Sequence, residues 1–274
     1  MLTSIFATNR LGNILSLPLE TPENGIIVAD VDGLGPVKAS VVSTNFAGLD
    51  GSIPQAARRE ARNILMKLDL DPYYGSVEDI RKLAYSYFMP KTYVTLRFLT
   101  DRGLDVFIKG MVESADPTIF SRDPQLTVSI LCFDPDFQSW TETSVSGTTT
   151  TGPAFTPLNY TGEIETGFLL TVEPDTSLES LAIQVITPDG IQQEMIYDRE
   201  ITSGSRLEID TRAGQKGAHV VYTVLSATFR SSMLHAITIT SDWPVLYPGE
   251  SQIRIAADDP APYTIKYRKL YGGL

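Results

Sequence analysis

The sequence contains few side chains that could carry out acid–base or nucleophilic chemistry. His219 and His235 are its only histidines, and a hydrolase would need one of them beside a serine and a carboxylate. No Gly-X-Ser-X-Gly segment singles out such a serine. Cys132 is the only cysteine, and it falls in an apolar stretch, where a thiol usually acts as a small buried hydrophobe. The sequence therefore predicts no catalytic residue.

Two pairs of carboxylates are spaced to share one face of a strand. Asp30 with Asp32, and Glu163 with Glu165, could bind a divalent ion or act as an acid–base pair. With 33 acidic residues in the chain, close pairs are expected by chance, so neither pair indicates a site. One cysteine and two histidines cannot form the usual zinc-binding sets. We expect no enzyme activity, no metal and no cofactor.

Aromatic residues near strand ends are candidates for binding rather than catalysis. Trp243, Tyr160 and Tyr263, together with Trp140, could stack on sugar rings or contact a partner protein. The alternative is that they anchor a core or an interface. The sequence leaves both open, and a glycan-binding β-sandwich is one functional hypothesis.

Three glycine or arginine motifs give weaker signals. GlyLeuGlyPro at 33–36 and the terminal GlyGly lack the strand-to-helix context of a phosphate-binding loop. ArgArgGluAlaArg at 58–62 is too short for a nucleic-acid patch. We expect it to lie in a solvated or subunit-facing loop.

Composition excludes several classes of protein. The 274 residues carry a net charge of −11, with 42% hydrophobic and 20% charged residues, which is typical of a folded protein with two domains. Residues 1–135 contain 13 basic and 16 acidic residues, and residues 136–274 contain 9 and 17. This acidity argues against sequence-specific binding to nucleic acids. Without about 18 consecutive apolar residues or a secretory-signal pattern, neither membrane insertion nor export by the general route is expected.

The first half of the sequence predicts short strands and one helix. Ser76 and Asp79 resemble a capping box, and apolar residues at helical spacing predict a helix over 76–88 that Pro90 ends. Residues 26–32 and 37–43 flank turn formers and predict a hairpin. Residues 54–67 combine high helix propensity with a short, strand-like apolar run, and we favour a polar loop that leads into a strand at about residue 62. Further strands are predicted at 62–70, 92–99, 104–112 and 125–133.

The second half repeats short strands and turns with no helical segment, which predicts a β-sandwich or jelly roll. Its strands are predicted at 164–172, 180–187, 192–198, 205–210, 218–225, 235–240, 252–256 and 262–268. The Ser/Thr-rich segment 138–153 is expected to link two domains, 1–137 and 154–261. The alternative is a long hairpin loop within one β domain.

The ordered set of segments resembles the distal tail proteins of long-tailed bacteriophages. The first-half match runs over residues 25–137 and rests on ArgGluAlaArgAsnIleLeuMetLysLeuAspLeu, AspIleArgLysLeu, ThrTyrValThrLeuArgPhe, IleLysGlyMetValGluSer and GlnLeuThrValSerIleLeuCysPheAspProAspPhe. The second half is similar in outline through GlyGluIleGluThrGly, LeuGluIleAspThrArgAlaGlyGlnLysGly, TrpProValLeuTyrProGlyGlu and TyrArgLysLeuTyrGlyGlyLeu.

The resemblance implies a mainly β protein of two domains. The first would be a β-sandwich or barrel-like domain with one helix, completed by residues 262–274, and the second a galectin-like jelly-roll sandwich. It also implies a structural virion protein that forms a hexameric ring at the distal end of the tail. The expected partners are the tail tube protein, the baseplate hub or tail-associated protein, and receptor-binding proteins or tail fibres. The family contributes no catalytic residues.

Overall fold

The computed structural model describes residues 1–19, 23–46, 48, 50–118 and 122–274. It divides into two compact units. Unit 1 comprises Met1–Trp140 and Tyr271–Leu274, and unit 2 comprises Thr141–Leu270. Both are built mainly from antiparallel strands, which confirms the predicted fold class.

Unit 1 contains ten strands and one α-helix among its described residues. They are β1 (Leu2–Thr8), β2 (Ile14–Pro18), β3 (Ile26–Asp32), β4 (Ala39–Thr44), β5 (Ile53–Arg59), β6 (Arg62–Leu70), α1 (Val77–Tyr87), β7 (Tyr93–Thr100), β8 (Asp105–Pro117), β9 (Gln125–Cys132) and β10 (Phe137–Ser139). A short 3₁₀ helix, Pro72–Tyr74, precedes α1.

Unit 2 contains the remaining strands, the last of which crosses the boundary between the units. They are β11 (Thr143–Thr148), β12 (Thr156–Tyr160), β13 (Leu169–Val172), β14 (Leu181–Ile186), β15 (Gln192–Tyr197), β16 (Arg206–Asp210), β17 (Gly217–Val224), β18 (Ala227–Ser232), β19 (Gly249–Ala257), β20 (Pro262–Tyr267) and β21 (Leu270–Tyr271). A 3₁₀ helix spans Leu234–Ala236.

The described part of unit 1 is organised by one curled sheet. Its strands follow the order β2-β1-β7-β8-β9-β6-β3, and β10 pairs with β8 and with β21. β2 and β3 lie at the two ends of that order and still contact each other, so the sheet closes in the manner of a barrel. Along β6, residues are buried at every second position, as expected when one face of a strand lines a core.

Helix α1 packs on this core as the sequence predicts. Ser76 is its N-cap, with Oγ accepting a hydrogen bond from the Glu78 N–H at 3.3 Å. Ile80 and Ala84 face inward and are buried. Within the described part of the chain, α1 and the 3₁₀ helices fall short of the length and apolar character that a membrane-crossing helix requires.

Two predictions for the first half are wrong. Residues 26–32 and 37–43 do not form a hairpin, because β3 pairs with β6 and β4 pairs with β5. The expected polar loop at 54–61 is largely strand β5. The turn formers at 33–36 redirect the chain instead of reversing it, and β4 and β5 form a separate two-stranded sheet.

Unit 2 is a β-sandwich. Its six-stranded sheet has the order β11-β20-β13-β16-β17-β18, and its four-stranded sheet has the order β12-β19-β14-β15. Along β14 and β19, buried positions alternate with more exposed ones, so each sheet turns one face to a common apolar core.

Three boundaries in the second half differ from those predicted. Segment 138–153 is not an irregular linker, because β11 lies within it and pairs with β20. β20 also pairs with β13, so within 262–274 only Tyr271–Leu274 belong to unit 1. The strand predicted at 235–240 is replaced by a 3₁₀ helix, and the hairpin partner of β17 is β18.

Candidate functional site

Arg62 is the most unusual side chain of unit 1, because its guanidinium is buried without a bidentate carboxylate partner. The residue is 1% exposed and begins β6. Its Nε donates to the Pro135 carbonyl at 2.7 Å, and its Nη1 donates to the carbonyls of Gly33 and Gly35 at 2.6 Å each. Its Nη2 donates to the Gly272 carbonyl at 2.6 Å. Burial lowers the pKa of Arg62 from its ordinary value, and the nearby Cys132 and Asp136 oppose this shift.

These bonds tie together three segments that are far apart in sequence. They are the turn at 33–36, the segment around Pro135 that precedes β10, and the last residues of the chain. The guanidinium carbon also lies 4.4 Å from the centre of the Phe137 ring, a favourable cation–π contact. Arg59 pairs with the Asp136 carboxylate beside this cluster. Arg62 therefore fixes both the start of β10 and the C-terminal segment onto unit 1.

The β4–β5 hairpin of unit 1 exposes several apolar side chains. All seven residues of β5 are exposed, and large apolar side chains on both strands face solvent: Val41, Val42 and Ile53, each more than half exposed. A two-stranded sheet of this kind is marginally stable by itself in water. Its apolar surface is therefore suited to contact another protein.

Unit 2 has a comparable hairpin, formed by β17 and β18. Tyr222 and Phe229 stack on each other with ring centres 5.6 Å apart, and both are exposed. The connecting residues Leu225 and Ser226 have φ values of 47° and 67°, so both occupy the left-handed region that a two-residue hairpin turn requires. Leu225 is 98% exposed. An apolar side chain thus occupies a conformation that favours glycine or asparagine.

Solved structures share this fold over nearly the whole chain. A crystal structure of the phage SPP1 Dit (gp 19.1) protein, described as a paradigm of the hub adsorption apparatus in phages that infect Gram-positive bacteria, has a TM-score of 0.69 and 16% sequence identity, over 96% of this chain and 98% of that chain. A chain of the phage P2 baseplate, in its activated conformation with Ca, has a TM-score of 0.50 and 11% identity, over 97% and 98% of the two chains. No protein-family model matches the sequence, and no curated protein matches it.

This chain has the Dit fold. Because the likeness extends over almost the full length of both chains, it includes both units rather than a single common sandwich. At such low sequence identity, this structural similarity establishes only the fold. The function has to be inferred from the residues of this chain. The resemblance found in the sequence is confirmed at this level.

Within the Dit fold, the predicted sugar-stacking residues occupy different environments. Tyr160 is 1% exposed and Tyr263 is 8% exposed, so both rings are largely buried in unit 2. Trp243 is partly buried against the same core, with Lys216 Nζ 5.8 Å from the ring centre. Trp140 is half-exposed on unit 1 and lies under the Arg97 guanidinium, 4.3 Å away. Trp140 thus belongs to unit 1, whereas Tyr160, Trp243 and Tyr263 belong to unit 2.

Tyr160 has a structural role that can be measured. Its hydroxyl donates to the Ile164 carbonyl at 2.7 Å and accepts from the Leu270 N–H at 2.9 Å. We expect Tyr160→Phe to destabilise unit 2 by about 1 to 2 kcal/mol, because two backbone groups lose a buried partner. Hydrogen exchange of β12 and β19 should become faster, and exchange at the wild-type rate would show that these bonds contribute nothing.

The candidate chemical residues are also dispersed. Asp30 and Asp32 are exposed on β3, and Asp30 pairs with Lys67 at 3.0 Å. Glu163 and Glu165 are exposed. His219 lies on β17, whereas His235 lies in the exposed part of a 3₁₀ helix. Among the described residues, no three His, Cys, Asp or Glu side chains are grouped so that they could hold a metal ion.

Cys132 is fully buried at the end of β9. Burial raises the pKa of its thiol to about 12, so almost no thiolate is present near neutral pH. We expect a thiol reagent at about pH 8 to leave the folded protein unmodified and to label one thiol per chain after unfolding in urea. Rapid labelling of the folded protein would show that Cys132 is accessible.

Sequence reasoning missed both the buried Arg62 and the exposed hairpin. The signal for Arg62 was present, because Arg62 shares the two-residue period of Ile64, Met66 and Leu68, which line the core. The signal for the hairpin was weaker. Pro54 and the two alanines of β5 lower its strand propensity.

Proposed function

We propose that this chain is a structural protein of a bacteriophage tail, which assembles as a ring of six at the distal end of the tail. In this role it joins the tail tube to the baseplate hub and to receptor-binding proteins, around the channel through which DNA passes. The fold shared with SPP1 Dit over nearly the whole chain supports this proposal. The number six comes from the sequence resemblance to distal tail proteins.

The exposed β4–β5 hairpin is the observation that carries the proposal. Val41, Val42 and Ile53 are open to solvent in the single chain, and burying them against the next copy would stabilise a hairpin that is marginal by itself. A hairpin on one subunit that binds a different surface of the next makes a heterologous contact, and such contacts close into a ring when the rotation permits.

The β17–β18 hairpin supports a second contact. Tyr222, Phe229 and Leu225 form an exposed apolar tip on unit 2, and aromatic side chains of this kind are enriched at protein interfaces. We assign this tip to the docking of a receptor-binding or hub protein.

The net charge of the chain is compatible with a ring that surrounds a DNA channel. Each chain carries a net charge of −11, so six copies would carry −66, and DNA would be repelled rather than retained. This supports a ring that guides DNA without binding it.

Antibody labelling of virions tests the proposed location. Gold-labelled antibodies raised against this chain should bind at the tail tip, at the end opposite the capsid, in electron micrographs of virions from the phage that encodes it. Labelling of the capsid alone, or an absence of the chain from purified virions, would overturn the proposal.

A further inference from the structure

The outer face of the six-stranded sheet in unit 2 carries two adjoining hollows. Their volumes are about 530 and 340 Å³, which is within the range of small-molecule sites. Glu173, Arg206 and Pro262 line both. The two hollows therefore form one elongated groove, with Arg206 in its middle.

The strand register explains why polar residues line this groove. Leu207 and Ile209 point into the core and are fully buried, so Arg206 and Glu208 between them point outward. Glu208 lies opposite Thr171 on β13 and opposite His219 on β17. Thr171 in turn lies opposite Thr264 on β20, so hydroxyl, carboxylate and imidazole groups form a row across the sheet.

Charges on this face are balanced. Glu208 accepts from Arg206 Nη2 at 2.9 Å and from Arg230 Nη2 at 3.2 Å, and Arg206 Nη1 lies 3.7 Å from Glu173. Asp175 and Lys266 line the two ends of the groove. Three carboxylates thus face three cations, and the groove has no excess charge to attract a phosphate or a polycation.

Hydrogen-bonding capacity remains unused in the middle of the groove. Arg206 Nε, in the middle of the groove, is a buried atom that has no hydrogen-bond partner among the described residues. Such atoms are costly unless something pairs with them. A hydroxyl group can donate and accept at once, so a ligand rich in hydroxyls would match neighbouring donors and carboxylate acceptors. Pro262 and Val221 add apolar surface for the C–H groups of a sugar ring.

We propose that this groove binds a neutral oligosaccharide of at least two rings, with Arg206 and Glu208 as its central hydrogen-bonding pair. The inference uses only residues of unit 2 and does not depend on ring assembly. It places sugar binding on the outer face of the six-stranded sheet, where Tyr263 lines one of the two hollows, whereas Trp243 and Tyr160 line neither.

Titration of the full-length protein with neutral disaccharides, followed by NMR, tests this assignment. The probes are maltose, cellobiose, lactose and chitobiose, each added to about 10 mM to detect millimolar binding. At least one should shift the backbone amide signals of Arg206, Glu208 and Thr264. Absence of shifts with all four sugars would overturn the proposal, as would shifts centred on Trp243 or stronger binding of digalacturonate, an acidic disaccharide.

Three variants test whether the sugar binds in the groove or elsewhere on unit 2. Arg206→Met should weaken binding of the active sugar by at least about tenfold, because it removes a charged donor. Thr171→Val, which removes only a hydroxyl, should weaken it less. Arg199→Met changes an exposed arginine that does not line the groove and should bind as the wild type does. Equal binding by Arg206→Met and Arg199→Met, with folded spectra for both, would contradict the assignment.

Discussion

Arg62→Met is expected to destabilise unit 1 by about 3 to 5 kcal/mol, the cost usual for breaking a buried charged network. The substitution removes four hydrogen bonds and leaves the carbonyls of the 33–36 turn, Pro135 and Gly272 without this partner. Burial makes each loss expensive, because water cannot replace the guanidinium without opening the cluster. The C-terminal segment should be the first part to detach.

Hydrogen exchange measured by mass spectrometry reports this loss for each unit separately. Exchange of β6 and β9 should become at least about 100-fold faster, whereas β14 and β19 in unit 2 should be unchanged. Arg62→Lys should destabilise unit 1 nearly as much, because a single ammonium group cannot reach carbonyls on three segments. The control is Arg58→Met, at an exposed position of β5, with an expected effect within about 0.5 kcal/mol. Equal exchange in all three variants would refute the role assigned to Arg62.

Val42→Asp is expected to abolish ring assembly while the chain remains folded. Val42 is 56% exposed in the single chain, so a carboxylate there costs little in the monomer. In the assembled ring the same carboxylate would be buried in an apolar contact, which should weaken each interface by at least about 100-fold. Sedimentation velocity should show monomers at concentrations where the wild type forms rings.

Ile239→Asp is the matched control for this substitution. Ile239 is a fully exposed β-branched residue of unit 2, outside the proposed interface, and the same charge is introduced there. It should assemble as the wild type does. If both variants disassemble, charge alone is responsible, and if neither does, the hairpin is not the ring contact.

The helix and most strands could be predicted because their signals are local. The Ser76 cap and the inward face of α1 lie within a dozen residues of sequence, as does the alternating pattern of β6. The pairing of β3 with β6 depends on contacts between distant residues, so adjacency in sequence suggested the wrong hairpin. β11 was missed because its Ser, Thr and Gly residues are equally typical of a loop.

Candidate binding residues were harder to predict than the fold. Tyr160 and Tyr263 are amphipathic, and sequence does not show whether their rings lie in a core or on a surface. The groove on unit 2 joins Thr171, Arg206 and Thr264 from three strands, and none of these residues belongs to a recognisable motif. Its location depends on strand order, which the sequence does not encode locally.

The mass of the purified full-length protein in solution tests the central claim most directly. Light scattering at several concentrations should give six times the chain mass of 30.1 kDa, and the Val42→Asp variant should give the mass of one chain. A wild-type protein that remains a single chain at every concentration, or that grows without limit into filaments, would contradict a closed ring built through the β4–β5 hairpin.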